Sequence, residues 1–261
     1  MDAEMDWDDE VDVVCTGAGI AGLSIAVFAV DEGAEVLVAE PPVTVSDRRW
    51  WPLDCADEHT RAYLAELTAD FDASQLGFDE DDLPVRSILT DRGRGSRTVP
   101  PFVGSRMRDW AAQCICSPSG FLYTRVTDWP TATLALSGGE EWEVAEIGTV
   151  TSDGGDRVEA LHKWLTVEAD ERDVERFAVA GLQRLVFDAG MVAGAVFDTE
   201  DGPYSVRSRH GVLICPQAQT SRREAGHAPA TGELRAALVG RAGSRFGRVE
   251  LLEPPTADET Y

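Results

Sequence analysis

The sequence predicts an α/β fold, and three observations carry that expectation. A strand, a glycine turn, a helix and a second strand follow one another between Val11 and Glu40. A later run, from Leu182 to Pro216, alternates apolar and polar residues between turn signals, as a β-meander does. The length of 261 residues with 43% hydrophobic content suits one large α/β domain, or a domain carrying an inserted lobe.

The N-terminal unit is the most specific. Val11, Val13 and Cys15 alternate into an apolar strand, and Gly17, Gly19 and Gly22 follow it as G-x-G-x-x-G. In this fingerprint the first glycine permits a tight turn, the second lets the backbone approach a pyrophosphate, and the third lets helix and strand pack closely. The amides of Gly19, Ile20, Ala21 and Gly22 then face an anion at the positive end of the helix dipole. Ile20, Leu23, Val27 and Val30 recur at helical spacing and form one packing face, and Gly33 ends the helix. Glu40 closes the second strand, where an acid accepts hydrogen bonds from an adenosine ribose and disfavours a 2′-phosphate. The expected fold is a Rossmann-like domain of the FAD/NAD(P)-binding kind. The cofactor-binding candidates are Gly17, Gly19, Ile20, Ala21, Gly22 and Glu40.

A formal net charge of −24 argues against nucleic acid and anionic membrane as partners. Two acid runs without a base, residues 1–12 and 70–82, read as solvated surface that a basic partner could use. No apolar run reaches membrane-spanning length, and the acidic N-terminus is unlike a signal peptide, so a cytoplasmic location is expected. Cys15, Cys55, Cys114, Cys116 and Cys215 are odd in number and scattered, which points to buried free thiols. Cys114 and Cys116 lack a second ligand pair nearby, and His59, His162, His210 and His227 show no metal spacing, so no metal is expected.

After Glu40, Pro41 and Pro42 break the strand. An amphipathic helix is expected around Asp57–Phe71, a loop over 72–82, a short helix within 100–125, and a hairpin over Thr133–Val144 turning at Ser137-Gly138-Gly139. Tryptophans at 50, 51, 110, 129, 142 and 164 concentrate here and read as core. A helix is expected over Asp170–Leu182. Strands follow at 185–187, 192–197, 205–207 and 212–215, with turns at Asp188-Ala189-Gly190 and Asp201-Gly202-Pro203. A last short helix is expected over Glu233–Val239. The return strand at 212–215 should pair with the N-terminal unit. This gives a dinucleotide-binding domain of residues 1–40 and 183–261, and an inserted α+β lobe of residues 41–182.

The fingerprint, the stretch WWPLDCADEHTRAYLAEL and the meander that ends just after R-x-R-H-G-V together resemble FAD-dependent dehydrogenases of the fumarate reductase and ketosteroid dehydrogenase group, over about half of the chain. The resemblance implies FAD as cofactor and hydride transfer from a substrate C–H bond. The chain departs from it in three places. The acid closing strand two is followed by PPVTVSDRRWW where the family has a glycine-serine loop around the flavin pyrophosphate. The return strand ends in Cys215-Pro216-Gln217-Ala218 where the family has an Ala-Thr-Gly-Gly type turn, and proline removes an amide donor. Nothing in Gln217–Tyr261 supplies the family's late Gly-Asp segment. Tyr123 is the polar aromatic to watch, since ketosteroid dehydrogenases use tyrosines as acid and base, and a core role is the ordinary one for it. Arg106 and Arg108 are ordinary surface arginines that could meet an anion.

These readings converge on a shortened flavoprotein-dehydrogenase homologue with degenerate flavin motifs. It is expected to serve as a non-catalytic or accessory subunit of an oxidoreductase complex, with at most a residual nucleotide site holding FAD or no cofactor. A subunit partner or a second copy of the chain is expected. The alternative is an active FAD-dependent dehydrogenase acting on a steroid-like or other CH–CH substrate.

Overall fold

A computed structural model of the chain describes residues 5–42, 55–69, 83–91, 104–125, 131–136, 141–216 and 231–253. Strand β1 (Asp9–Cys15), helix α1 (Ile20–Asp31) and β2 (Val36–Glu40) form the expected unit. Next come α2 (Glu58–Leu67), β3 (Val85–Asp91), α3 (Gly104–Cys116), β4 (Gly120–Tyr123), β5 (Ala132–Leu136) and β6 (Glu141–Asp153). Helix α4 (Arg157–Glu171) leads into β7 (Glu175–Ala178), and β8 (Gly181–Asp188), β9 (Met191–Thr199) and β10 (Gly202–Ile214) make the meander. The hairpin of β11 (Thr231–Gly240) and β12 (Phe246–Glu253) ends the described chain.

Strands β10, β1, β2 and β7 run parallel in that spatial order, with Val14 opposite Val212 on one side and Leu37 on the other. Parallel neighbours require a crossover, which α1 supplies between β1 and β2. This set is the Rossmann-like core of a mixed α/β sheet, and the return strand pairs with β1 as the sequence predicts. Strand β4 joins the other edge of β10 antiparallel and links it to β12. From there β12, β3, β5, β6 and β11 close into a ring of five strands, each bonded to the next and β11 bonded back to β12.

Hydrogen bonding therefore does not divide along the expected domain line. Residues 231–253, expected with residues 1–40, pair with β3, β4 and β6 of the middle segment. Strand β4, expected in the inserted lobe, pairs with β10.

Side chains are buried on both faces of this sheet. One core gathers Val13, Cys15, Val36, Val38 and Leu213 with α1 and with Leu161 and Leu165 of α4. The other gathers Val14, Leu37, Val212 and Ile214 with Leu64 of α2 and Trp110 of α3. Helix α1 is buried at every position from Ile20 to Ala29, so the single stripe predicted for it is only part of its contact surface. Sheet covers one side and α4 the other, which suits a helix apolar all round. It ends in a Schellman motif: Gly33 takes φ +84, its amide donates to the Val30 carbonyl (2.9 Å), and the Ala34 amide donates to the Ala29 carbonyl (2.9 Å).

Three sequence expectations are corrected. The helix placed at 170–182 ends at Glu171, and residues 175–178 are the edge strand β7. The charged run ADERDVERF has helical propensity, but Asp173 enters the left-handed region at φ 52 and closes α4 with its own Schellman bonds, and pairing with β2 takes the rest. The helix placed at 233–239 is β11. Leu234, Ala236 and Leu238 enter one core while Ala237 and Val239 enter the other, and a strand buried on both faces has no polar alternation to mark it. The strands placed at 205–207 and 212–215 are one strand, β10, interrupted by a bulge at which Gly211 takes φ +124 and its amide donates to Ser208 Oγ (2.9 Å).

Helix α2 begins as predicted at its Asp57 cap, whose carboxylate accepts from the Thr60 amide (2.7 Å), and the predicted hairpin is the β5–β6 pair. Phe71, the loop at 72–82 and the Ser137-Gly138-Gly139 turn lie outside the described residues. The meander turn at Asp188-Ala189-Gly190 has positive φ at Ala189 (47°) and Gly190 (80°), as a tight type I′ connection requires.

Two substitutions test this packing. A Cβ at residue 22 would stand 1.8 Å from the Gly17 carbonyl oxygen, so Gly22→Ala should cost about 3 kcal/mol or prevent folding. Asp173→Gly, which relieves a left-handed non-glycine residue, should instead raise stability by about 0.5 kcal/mol. Urea unfolding followed by circular dichroism measures both; a neutral Gly22→Ala, or a destabilising Asp173→Gly, contradicts the packing described.

Candidate functional site

The expected cofactor residues meet at the carboxyl ends of β1, β2 and β10, where nucleotides bind open α/β sheets. Gly17 and Ala18 connect β1 to α1, and Gly19 is the N-cap of α1 in extended conformation (φ −73, ψ −176) with no side-chain cap. The Gly19 carbonyl accepts from the Leu23 amide at 3.0 Å, the first helical bond. The amides of Ile20, Ala21 and Gly22 thus form the positive end of α1, buried within the turn.

Gly17 makes room for a neighbouring strand end. Its φ lies outside the left-handed region, and what it permits is close approach: a Cβ there would stand 2.8 Å from the Pro216 carbonyl oxygen and 3.0 Å from that of Cys215. Gly22 serves the predicted helix-to-strand packing against Gly17. The end of β10 is bound into the turn by side chains as well. The Cys215 thiol donates to the Gly17 carbonyl (3.2 Å), and the Cys215 amide donates to Thr16 Oγ1 (3.2 Å). His162 of α4 lies with Nε2 3.1 Å from the Ala18 carbonyl, a hydrogen bond when that nitrogen carries the proton. Pro216, expected to deprive a cofactor of an amide, presents its carbonyl to Gly17.

Glu40 ends β2 as predicted and is 38% exposed, so a ribose can reach it. Arg176 of β7 lies 3.5 Å from its carboxylate and also pairs with Asp170. An exposed pair of that length contributes about 0–1 kcal/mol and yields readily to a better partner. Gly19, Ile20, Ala21, Gly22 and Glu40 are therefore the residues that could hold the adenosine diphosphate end of a dinucleotide. Arg176 and His162 were not found from the sequence. Strand β7 was read as helix, and α4 was not placed, although Asp156 with Glu159 three residues on is a capping pattern: the Asp156 carboxylate accepts from the Val158 (2.9 Å) and Glu159 (3.2 Å) amides.

Tyr123 sits on β4 within the core and burial pushes its hydroxyl well above the ordinary range. Cys15, Cys55, Cys114 and Cys215 are buried thiols that form no disulfide, as expected. No group of metal-ligating side chains occurs among the described residues. Arg106 and Arg108 lie on α3. His227 and the glycine-free loop after Pro42 are outside the described residues. No helix among the described residues is long and apolar enough to cross a membrane.

No protein-family model and no curated relative matches this chain. Among solved structures it is similar to a 3-ketosteroid-Δ4-(5α)-dehydrogenase from Rhodococcus jostii RHA1, at 20% identity and TM-score 0.35, over 80% of this chain and 46% of that one. A 3-ketosteroid Δ1-dehydrogenase from Sterolibacterium denitrificans is similar at 14% identity and TM-score 0.34, over 78% and 47%. The myxobacterial chondrochloren halogenase, described as a variant of FAD-dependent halogenases, is similar at 15% identity and TM-score 0.32, over 93% and 53%. The chain spans about half the length of these structures.

The thiol at the turn gives a pH test. Burial pushes Cys215 up to about 12 and Cys15 in the same direction. A group raised on folding contributes stability that is complete below its unfolded value, about 8.5 for cysteine, and is lost as pH rises toward its folded value. Unfolding midpoints should therefore fall between pH 8.5 and 12, and Cys215→Ala should flatten the fall by up to about 1.4 kcal/mol per pH unit. An identical pH dependence in the variant contradicts the burial of this thiol.

Proposed function

We propose that this chain is a flavoprotein-dehydrogenase homologue acting as a non-catalytic or accessory subunit of an oxidoreductase complex, with at most a residual nucleotide site at the β1–α1 turn. The observation that carries this reading is the packing of Cys215 and Pro216 against Gly17. Two of the three fingerprint glycines, Gly17 and Gly22, are occupied by contacts within the protein. The parts left for a ligand are the amides of Gly19–Gly22 and the Glu40 carboxylate, which suit a pyrophosphate and a ribose. FAD, where bound, would accept a hydride from a substrate C–H bond, and its adenosine end would lie on these same groups.

The partner in this reading is a protein subunit or a second copy of the chain. Among the described residues only Val167 and Met191 are large apolar side chains in exposed positions, so the contact is expected to be polar. Where the partner is a different subunit, the net charge of −24 favours a basic face on it.

The visible spectrum of the purified chain tests the reading first. Flavin well below one per chain is expected, with ADP bound weakly and Gly19→Trp reducing that affinity at least about tenfold. A yellow protein with stoichiometric FAD would favour the alternative, an active FAD-dependent dehydrogenase of a steroid-like or other CH–CH substrate. Unchanged ADP affinity in a folded Gly19→Trp variant removes the turn as a site. Light scattering together with co-purification from the native cell decides the subunit role, and a monodisperse monomer with no stable partner overturns it.

A further inference from the structure

Arg245 is held differently from the multiply paired arginines of the chain. Asp and Glu number 47 against 23 Lys and Arg, and Arg172, Arg176 and Arg209 each bond to two or more carboxylates. Arg245, half-buried just before β12, instead meets neutral oxygens. Its Nη1 donates to the Tyr63 hydroxyl (3.2 Å) and to the Thr124 carbonyl (3.2 Å). Its backbone is fixed too, with the Arg245 carbonyl accepting from the Tyr123 amide at 2.8 Å. One nitrogen of the guanidinium is thus anchored twice, and the Nε and Nη2 edge makes no bond to a described residue. That edge is the fork that grips a carboxylate or phosphate through two parallel hydrogen bonds.

Tyr63 completes the arrangement. Its oxygen accepts from Arg245, so its own proton is free to donate elsewhere. Burial raises the hydroxyl above its ordinary range despite the neighbouring guanidinium, which keeps that proton in place at neutral pH. The ring is held edge-on to Phe187 at 5.2 Å, and His59, one helical turn earlier on α2, stacks on the same ring at 4.4 Å. His59 is exposed, and Tyr63 and Arg245 are each partly accessible. The donors are thereby pre-organised on packed side chains and open to solvent. Tyr63 and Phe187 pack against the core facing α2 and the meander, whereas Ala18 packs on the α1 side of the sheet.

We propose that Arg245 and Tyr63 form a receptor for a small oxyanion, a carboxylate or phosphate group, distinct from the β1–α1 turn. The guanidinium edge binds two oxygens, and Tyr63 and the Thr124 carbonyl hold the guanidinium from its Nη1 end, with His59 at the rim. No bond is made or broken, so the site recognises a ligand or a negatively charged side chain.

Titration of the purified chain with benzoate and, separately, with inorganic phosphate tests this, read by proton–nitrogen NMR of the arginine Nε–H groups and the His59 ring. Saturable binding is expected for at least one anion. Arg245→Gln should weaken it at least about tenfold, Arg245→Lys should weaken it less, and Tyr63→Phe by about threefold. Tighter benzoate assigns the site to a carboxylate on an apolar body, and tighter phosphate assigns it to a phosphate group. Arg207→Gln, on a strand bonded to Glu10, should leave binding unchanged. No saturation by either anion, or equal loss in the Arg207 and Arg245 variants, overturns the proposal. Should Arg245→Gln fail to fold, Arg245→Lys and Tyr63→Phe decide, and full affinity in both contradicts it.

Discussion

The contact on which the rest of the structure depends is the one between the Gly17 carbonyl, Gly22 and the end of β10. That carbonyl leaves no room for a side chain at residue 22 and accepts a hydrogen bond from the Cys215 thiol 3.2 Å away. It therefore fixes how closely α1 lies on β1 and where β10 stops. With those two settled, β1 stands between β10 and β2 in parallel register, and α1 is seated to receive α4 on its outer side. The site inherits the same constraint. The turn is tight because protein backbone fills the space that its first and third glycines leave, and what remains for a ligand is the uncapped end of α1 and Glu40.

Charge is handled differently at the surface and inside. At the surface an excess of acids is gathered around arginines: Arg209 bonds to Glu10, Asp12 and Glu35, and Arg172 joins the ends of α1 and α4 through Asp31 and Glu168. Inside the strand ring, Glu250 is fully buried between Arg248 (2.6 Å) and Arg86 (2.7 Å), with Arg248 lying over Trp110 and Arg86 over Trp142. Such a group adds little net stability compared with apolar packing, but removing one partner leaves a buried charge uncompensated. Of the tryptophans expected as core, Trp110 and Trp142 are buried here and Trp164 is partly buried, while Trp50, Trp51 and Trp129 lie outside the described residues; the ring that Trp142 helps to build has an ionic centre.

The legible parts of the sequence were those whose local chemistry and tertiary role agree. The β1–α1–β2 unit carries its glycines, its apolar alternation and its closing acid within one stretch, and the meander turns carry their own glycines. The illegible parts were settled at a distance. Residues 175–178 are a strand because β2 offers them an edge, and 231–240 are a strand because β6 and β12 flank them. The contact of Gly17 with Pro216 could not be read from G-x-G-x-x-G, since the two are 199 positions apart. The pairing of Glu40 with Arg176 was hidden for the same reason, and Arg245 gained its setting from Tyr63 and Thr124, each far off in the chain.

The most direct test of the account is an amide-resolved NMR titration of the chain with ADP. Shifts are expected only at Ala18–Gly22, Glu40 and the flanking Arg176, with the Cys215 end of β10 unmoved because its contacts to Gly17 persist. Shifts that spread through Leu213 to Cys215 as the strand end withdraws, or shifts that avoid Gly19–Gly22 altogether, would contradict it.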